Sequence, residues 1–346
     1  MNRRSFFKLG SMAALFAHLP SLKAMPDISD KPRLIKPRRL KPGATIAVIA
    51  PSSPPAEEKL QKGLQNLQSF GFNLVEGKSL RAQNGHLAGS DQERLDDLHW
   101  AFKDPSIEGI WCIRGGYGAG RLLPMIDYAM IRQHPKPLIG YSDITALHIA
   151  IHQETGLVTF HGPVATAEYP EDTVRYWKSV IMDTVTPLEI QGSMVDSSLL
   201  SIEYQPFTIT PGTATGSLTG GNLALLSAMA GTAHAPIFRN KIVFIEDVGE
   251  QPYRIDRMLT QLIQGTDLME AAGIALGVFN ECQPKPGTFS MSLQDTLRNC
   301  LGNLGMPVAY GIPFGHVDHQ ATFPYGIKAR LNADQPGITI LEEAVV

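Results

Sequence analysis

Pro137-Leu138-Ile139-Gly140-Tyr141-Ser142-Asp143-Ile144-Thr145 sets a short apolar run directly against residues that start helices. The spacing predicts a strand over 138–141 and a helix from Asp143 to about Glu154, with Gly156 after its end. A strand that runs straight into a helix is one joint of a βα unit. Upstream, Thr45–Ala50 reads as a buried first strand closed by Pro51. Leu60, Leu64, Leu67 and Phe70 form one helical stripe ahead of Gly71. Phe72–Val75 suggests a second strand, and Ser90-Asp91-Gln92-Glu93 has the form of a capping box opening a helix to about Phe102. Gly109–Ile113 is a further strand candidate, followed by the glycine-dense turn Gly115–Gly120. Strand and helix signals alternate over 45–160, which argues a parallel, doubly wound sheet.

Downstream the rhythm changes. Residues 171–215 carry many Thr, Ser and Pro and read as a linker of irregular structure. Asn222–Ala230 suggests a short helix and Lys241–Ile245 a strand. Ile255, Met258, Leu259, Leu262 and Ile263 make an amphipathic face closed by Gly265. Ile274–Val278 and Val308–Ile312 read as strands, and 327–341 as a hairpin turning at Asp334–Gly337. This half reads as strand-rich and without the βα rhythm. The expected fold class is therefore α/β. A doubly wound N-terminal domain over 40–170 and the linker over 171–215 precede a smaller, β-rich α+β domain over 216–346.

Composition agrees with two domains. The chain has 346 residues, against roughly 150 per domain. It is 43% hydrophobic, and 30 basic residues face 33 acidic ones for a net charge of −3. There is no basic excess that would suit a nucleic-acid binder. No uncharged apolar run reaches about 18 residues, which excludes a polytopic membrane protein.

The first 24 residues read as a separate segment. Arg3-Arg4 and Lys8 form a cationic start, 9–22 lacks charge, and Ala24 offers a small residue for cleavage. The paired arginines resemble a twin-arginine export signal, so the expected location is periplasmic, with no stable membrane insertion after signal removal. An uncleaved interfacial segment is the alternative. Removing 1–24 takes away Arg3, Arg4, Lys8 and Lys23 and no acid, moving the formal charge from −3 to −7. Cys112, Cys282 and Cys300 are too few to pair completely, and their spacing suggests no metal site.

Four local patterns could carry chemistry. Ser142 stands where a strand meets a helix, a position that exposes a hydroxyl beside helix-start amides. It could equally be a plain N-cap, as could Asp143. The sequence there is not G-x-S-x-G, because Ile144 replaces the second glycine. Arg114-Gly115-Gly116-Tyr117-Gly118-Ala119-Gly120 lets backbone approach a ligand, or is simply a tight turn. It departs from the dinucleotide fingerprint G-x-G-x-x-G. Glu246-Asp247 ends an apolar strand, as an orienting acid does, or as a solvated cap does. His316 follows a strand in Gly311-Ile312-Pro313-Phe314-Gly315-His316, and His161 is its main rival among ten histidines. Ser142, His316 and Glu246 would supply a nucleophile, a base and an acid that orients the base.

In order along the chain, Gly115-Gly116-Tyr117-Gly118, Gly140-Tyr141-Ser142-Asp143, Ile245-Glu246-Asp247 and Pro313-Phe314-Gly315-His316 resemble the LD-carboxypeptidase family of serine peptidases. That family includes muramoyltetrapeptide carboxypeptidases and microcin-C-cleaving immunity peptidases. The resemblance implies Ser142 as nucleophile, Glu246 and His316 completing a triad, and the backbone amides of Gly116 and Asp143 as oxyanion hole. It implies no metal or cofactor, a homodimer, and release of the terminal D-alanine from a murein tetrapeptide. Glu250, four residues after Glu246, could take its place. Arg114, Arg254 and Tyr117 are candidates for holding the substrate, the arginines on its free carboxylate. A peptidase acting on a peptidyl-nucleotide, and a periplasmic binding protein without catalysis, are the competing expectations.

Overall fold

In the computed structural model, residues 32–192 and 204–346 are described. The export-signal reading of 1–24 lies outside them, as does part of the expected linker. The first half contains β1 (Thr45–Ile49), α1 (Glu57–Ser69), β2 (Asn73–Glu76), α2 (Asp91–Lys103), β3 (Gly109–Cys112), α3 (Tyr128–Gln133), β4 (Leu138–Gly140), α4 (Thr145–Thr155), β5 (Phe160–His161) and α5 (Glu171–Ile181). The second contains β6 (Leu188–Gln191), β7 (Phe207–Thr210), β8 (Thr213–Asn222), α6 (Leu223–Met229), β9 (Lys241–Val248), α7 (Pro252–Gly265), β10 (Gly273–Asn280), α8 (Leu293–Leu301), β11 (Val308–Tyr310), β12 (Phe323–Pro324), β13 (Lys328–Asn332) and β14 (Gly337–Ile340).

The first sheet runs β12-β5-β4-β3-β1-β2. Strands β1 to β5 are all parallel. Ile46 to Ile49 and Ile110 to Cys112 are fully buried, as expected of strands covered by helices on both faces. The α1 stripe buries Leu60, Leu64 and Leu67. Ser90 and Glu93 form the reciprocal capping box at the start of α2. Strand order reverses between β1 and β3, the point where open α/β sheets bind ligands beyond the carboxyl ends of their strands.

The second sheet runs β6-β14-β13-β8-β9-β10-β11-β7. Strands β8, β9, β10 and β11 are parallel and alternate with α6, α7 and α8. The second half is thus strand-rich as expected, but it does carry a βα rhythm, and its sheet has more strands than the first. The reading missed this because β8 is Thr-Ala-Thr-Gly-Ser-Leu-Thr-Gly-Gly-Asn, with few side chains that signal a buried strand. Residues 171–192 and 204–215 are likewise not irregular: α5, β6, β7 and the start of β8 occupy much of them. The α5 face buries Tyr176, Trp177, Val180 and Ile181.

The two sheets share material. β12 comes from the second half but pairs antiparallel with β5, placing Phe323 opposite His161. Phe323 packs at 5.2 Å from Phe244 on β9 and 4.7 Å from Phe314, so one aromatic cluster joins both sheets. All three cysteines are free thiols.

Candidate active site

β4 ends at Gly140, and the chain turns through Tyr141 into a single 3-10 turn, Ser142–Ile144, before α4 begins. Ser142 has φ +64°, the left-handed region that a non-glycine residue rarely occupies. Such strain at a strand-to-helix joint holds a side chain clear of both elements. The Ser142 hydroxyl lies 3.2 Å from His316 Nε2. His316 Nδ1 lies 2.7 Å from Glu246 Oε2. Three residues, from the turn after β4, from β9 and from the loop after β11, are therefore linked in series.

Glu246 sits inside β9, opposite Asn222 in the pairing with β8, and is fully buried. The strand runs on to Val248, beyond the end expected at Ile245. Gly315 has φ +103°, and a Cβ there would fall 2.7 Å from Glu246 Oε2. Only glycine lets the His316 loop come this close to the carboxylate. Glu250 is directed elsewhere, to Arg254 at 3.3 Å, so Glu246 is the acid that meets His316.

The electrostatics follow from this packing. Burial alone pulls His316 down, but the Glu246 charge and hydrogen bond outweigh it and hold the imidazole above its ordinary value. Burial pushes Glu246 up, and His316 more than reverses that, leaving the carboxyl below its usual range. Asp247, the next residue, points the other way. It accepts from Asn222 Nδ2 and from the Ala224 amide, both at 3.0 Å. Burial and then the Glu246 charge push Asp247 up to about 7.

The cleft in front of Ser142 has a volume of about 460 Å3. Gly115, Gly116, Arg114, Tyr141 and His316 line it. The Tyr141 ring meets His316 edge-on at 4.8 Å. A Cβ on Gly115 would fall 2.9 Å from Ser142 Cβ and 3.2 Å from the Asp143 amide, so the glycine turn and the serine turn touch. Gly116 has φ +117° and lies against Ser53. The Asp143 side chain is buried away from the cleft. Its Oδ2 accepts from Ser52 Oγ at 2.6 Å and from the Ala119 amide at 2.8 Å. This carboxylate thereby ties the serine turn to the glycine turn and to the end of β1.

The remaining candidates separate. Arg114 is on the cleft wall, its guanidinium bonded to the Pro54 and Gly115 carbonyls at 3.3 and 3.2 Å. Tyr117 is 56% exposed and packs against His86 at 5.2 Å, off the cleft wall. Arg254 is exposed beside Glu250 and Tyr253 and is also off it. His161 is buried behind the site, 6.0 Å from the Tyr141 ring and 5.3 Å from Phe244, and burial pushes it down to about 4. It makes no contact with Ser142 of the kind His316 makes.

Two functional features escaped the sequence reading. Lys59 lines the cleft from α1. It lies off the apolar stripe, the part of α1 that periodicity marks. Arg94 on α2 is fully buried, and its Nη1 donates to the Pro51 and Gly118 carbonyls at 2.5 and 3.0 Å. Only the unusual burial of an arginine marks it, and burial is not written in a single sequence.

A hydroxyl bonded to an imidazole that is bonded to a carboxylate can perform acyl transfer. Residues 46–162 match the LD-carboxypeptidase N-terminal domain and residues 215–331 its C-terminal domain. A probable murein peptide carboxypeptidase of Bacillus subtilis is 42% identical over 303 residues, covering 86% of this chain and 91% of its own. The crystal structure of an MccF-like protein from Bacillus anthracis is 30% identical at TM-score 0.78, covering 89% of this chain and 100% of its own. That of a muramoyltetrapeptide carboxypeptidase from Oxalobacter formigenes is 27% identical at TM-score 0.74, covering 87% and 99%. With both family domains matched in order over the α/β scaffold described above, the chain belongs to the LD-carboxypeptidase family and carries its two-domain peptidase fold.

Proposed function

We propose that this protein is a serine carboxypeptidase that releases the C-terminal D-alanine of murein tetrapeptides, acting in the periplasm as a homodimer. The observation that carries the reading is the Ser142–His316–Glu246 series, at 3.2 and 2.7 Å. Neutral His316 takes the Ser142 proton as the hydroxyl oxygen bonds to the scissile carbonyl carbon. The carbonyl oxygen gains negative charge and is held by the Gly116 and Asp143 amides. His316 then donates the proton to the leaving amine, the C–N bond breaks, and D-alanine departs. Water, deprotonated by His316, attacks the acyl-serine and restores the enzyme. Arg114 and Lys59 supply positive charge for the free carboxylate that marks the end of the peptide.

The test is incubation with murein tetrapeptide and measurement of free D-alanine. Wild type releases it, and Ser142→Ala loses about 10^4-fold or more of the rate. Equal release by both would sink the proposal. Cleavage of a peptidyl-nucleotide and not of the tetrapeptide would favour the competing reading, a peptidase of the same family acting on that amide.

A further inference from the structure

A second cavity lies at the opposite end of the first sheet's strands. It has a volume of about 980 Å3. Its walls are Lys41, just before β1; Glu108, just before β3; and His134 and Lys136, just before β4. These are the amino ends of the same strands whose carboxyl ends carry Arg114 and Ser142.

The wall is cationic. Arg38, Arg39 and Lys41 face the cavity, and none has a carboxylate partner among the described residues. Lys36 is also on the wall, paired with Glu342 at 3.4 Å. Among the described residues Glu108 is the one acidic side chain lining it, already accepting from the Thr45 amide at 2.9 Å, and Val346 lies on the same wall. The arginines sit on backbone that is fixed in place. The Arg39 amide donates to Val346 O at 2.9 Å, the Val346 amide to Pro37 O at 2.9 Å, and the Leu40 amide to Ile181 O at 3.0 Å. Two guanidiniums held on pinned backbone lose less freedom on meeting an anion than two on a loose arm.

Lys136 makes this a built site and not only a charged surface. It is 9% exposed. Its Nζ donates to Ala101 O at 2.9 Å and to Asp104 O, around the carboxyl end of α2. An ammonium has three donors, so one remains for the cavity. Burial pushes Lys136 down to about 8 against the opposing pull of the Asp104 carboxylate, His134 shares the wall, and a further anion beside Lys136 would favour its charged form.

We infer that this cavity binds a phosphate-bearing oligoanion, gripped by Arg38, Arg39 and Lys41 at the rim and by Lys136 at the floor. Planar guanidiniums suit phosphate oxygens, and the volume admits several phosphate groups in a row.

The probe is inorganic tripolyphosphate, titrated into Ser142→Ala protein by calorimetry at about 50 and about 200 mM salt. Blocking Ser142 chemistry leaves the second cavity untouched. Saturable one-to-one binding is expected, weakening at higher salt. The triple variant Arg38→Ala/Arg39→Ala/Lys41→Ala should bind at least about tenfold more weakly, and the same three substitutions made with Ser142 intact should leave peptidase activity unchanged. Lys136→Met should also weaken binding and remove its strengthening as pH falls through about 8. Absence of saturable binding at low salt, or equal binding by the triple variant, would overturn the inference. So would capture by phosphatidylglycerol vesicles without any binding of tripolyphosphate, which would mark a membrane-facing patch.

Discussion

Ser142, Glu246 and His316 come from three separate segments, and each arrives under local constraint. Ser142 is held at positive φ, Glu246 is locked within a strand, and His316 is admitted by a glycine. The carboxylate controls the imidazole, and Glu246→Gln tests this. With the Glu246 charge gone, burial outweighs the remaining pull of Asp247, and the His316 pKa falls. The rate should drop by about 10^3 to 10^4. The acidic limb of kcat/KM should move to lower pH, because the active form is neutral His316 and that form then persists further into acid. A limb that stays in place with the rate would show that Glu246 does not set the imidazole. The three site residues were legible in the sequence because each closes a recognisable strand or follows one. Strand-end position alone leaves His316 and His161 open, since both stand in such motifs, and the resemblance carried by Pro313-Phe314-Gly315-His316 selects His316. Only the fold shows that β12 covers His161 while the loop after β11 brings His316 to Ser142.

Elements explain why the turns around the cleft hold their shape. Arg94 projects from α2 into the gap between the end of β1 and the glycine turn, joining Pro51 O to Gly118 O. Asp143 closes the same assembly from the serine side. Arg94→Leu leaves the Pro51 carbonyl buried without a donor, at about 1–3 kcal/mol, and leaves Gly118 O with the Arg121 amide alone. A lower unfolding midpoint and a fall in kcat should appear together, because the turn that positions Gly116 is released. Loss of stability with unchanged kcat would confine Arg94 to a packing role. The helices α1 and α7 were readable from periodicity because each buries a clean stripe, and α2 from its capping box. The Thr- and Gly-rich β8 was not. Its burial comes from β9 and β13 on either side, and a strand whose neighbours supply the apolar surface leaves little trace in its own residues.

At the scale of the molecule, buried charge sets how stability responds to pH. Asp247 is pushed up to about 7, whereas an open chain gives up this proton near about 3.9. Between those values the folded chain holds a proton the unfolded chain has lost, so this group's contribution to stability falls as pH rises. Asp247→Asn cannot ionise. The unfolding midpoint of the variant relative to wild type should climb from about pH 4 to about pH 7 and level off above. A flat difference across that window would show Asp247 ionised in the fold as it is in the open chain. The borrowed strand β12 has a consequence of another kind. The sheet that bears the serine is completed by two residues encoded some 160 positions after its last native member. A chain cut between the halves would leave the first with a raw edge and strip the second of its mooring. The pair therefore has to be inherited, and to mature, as one interlocked body.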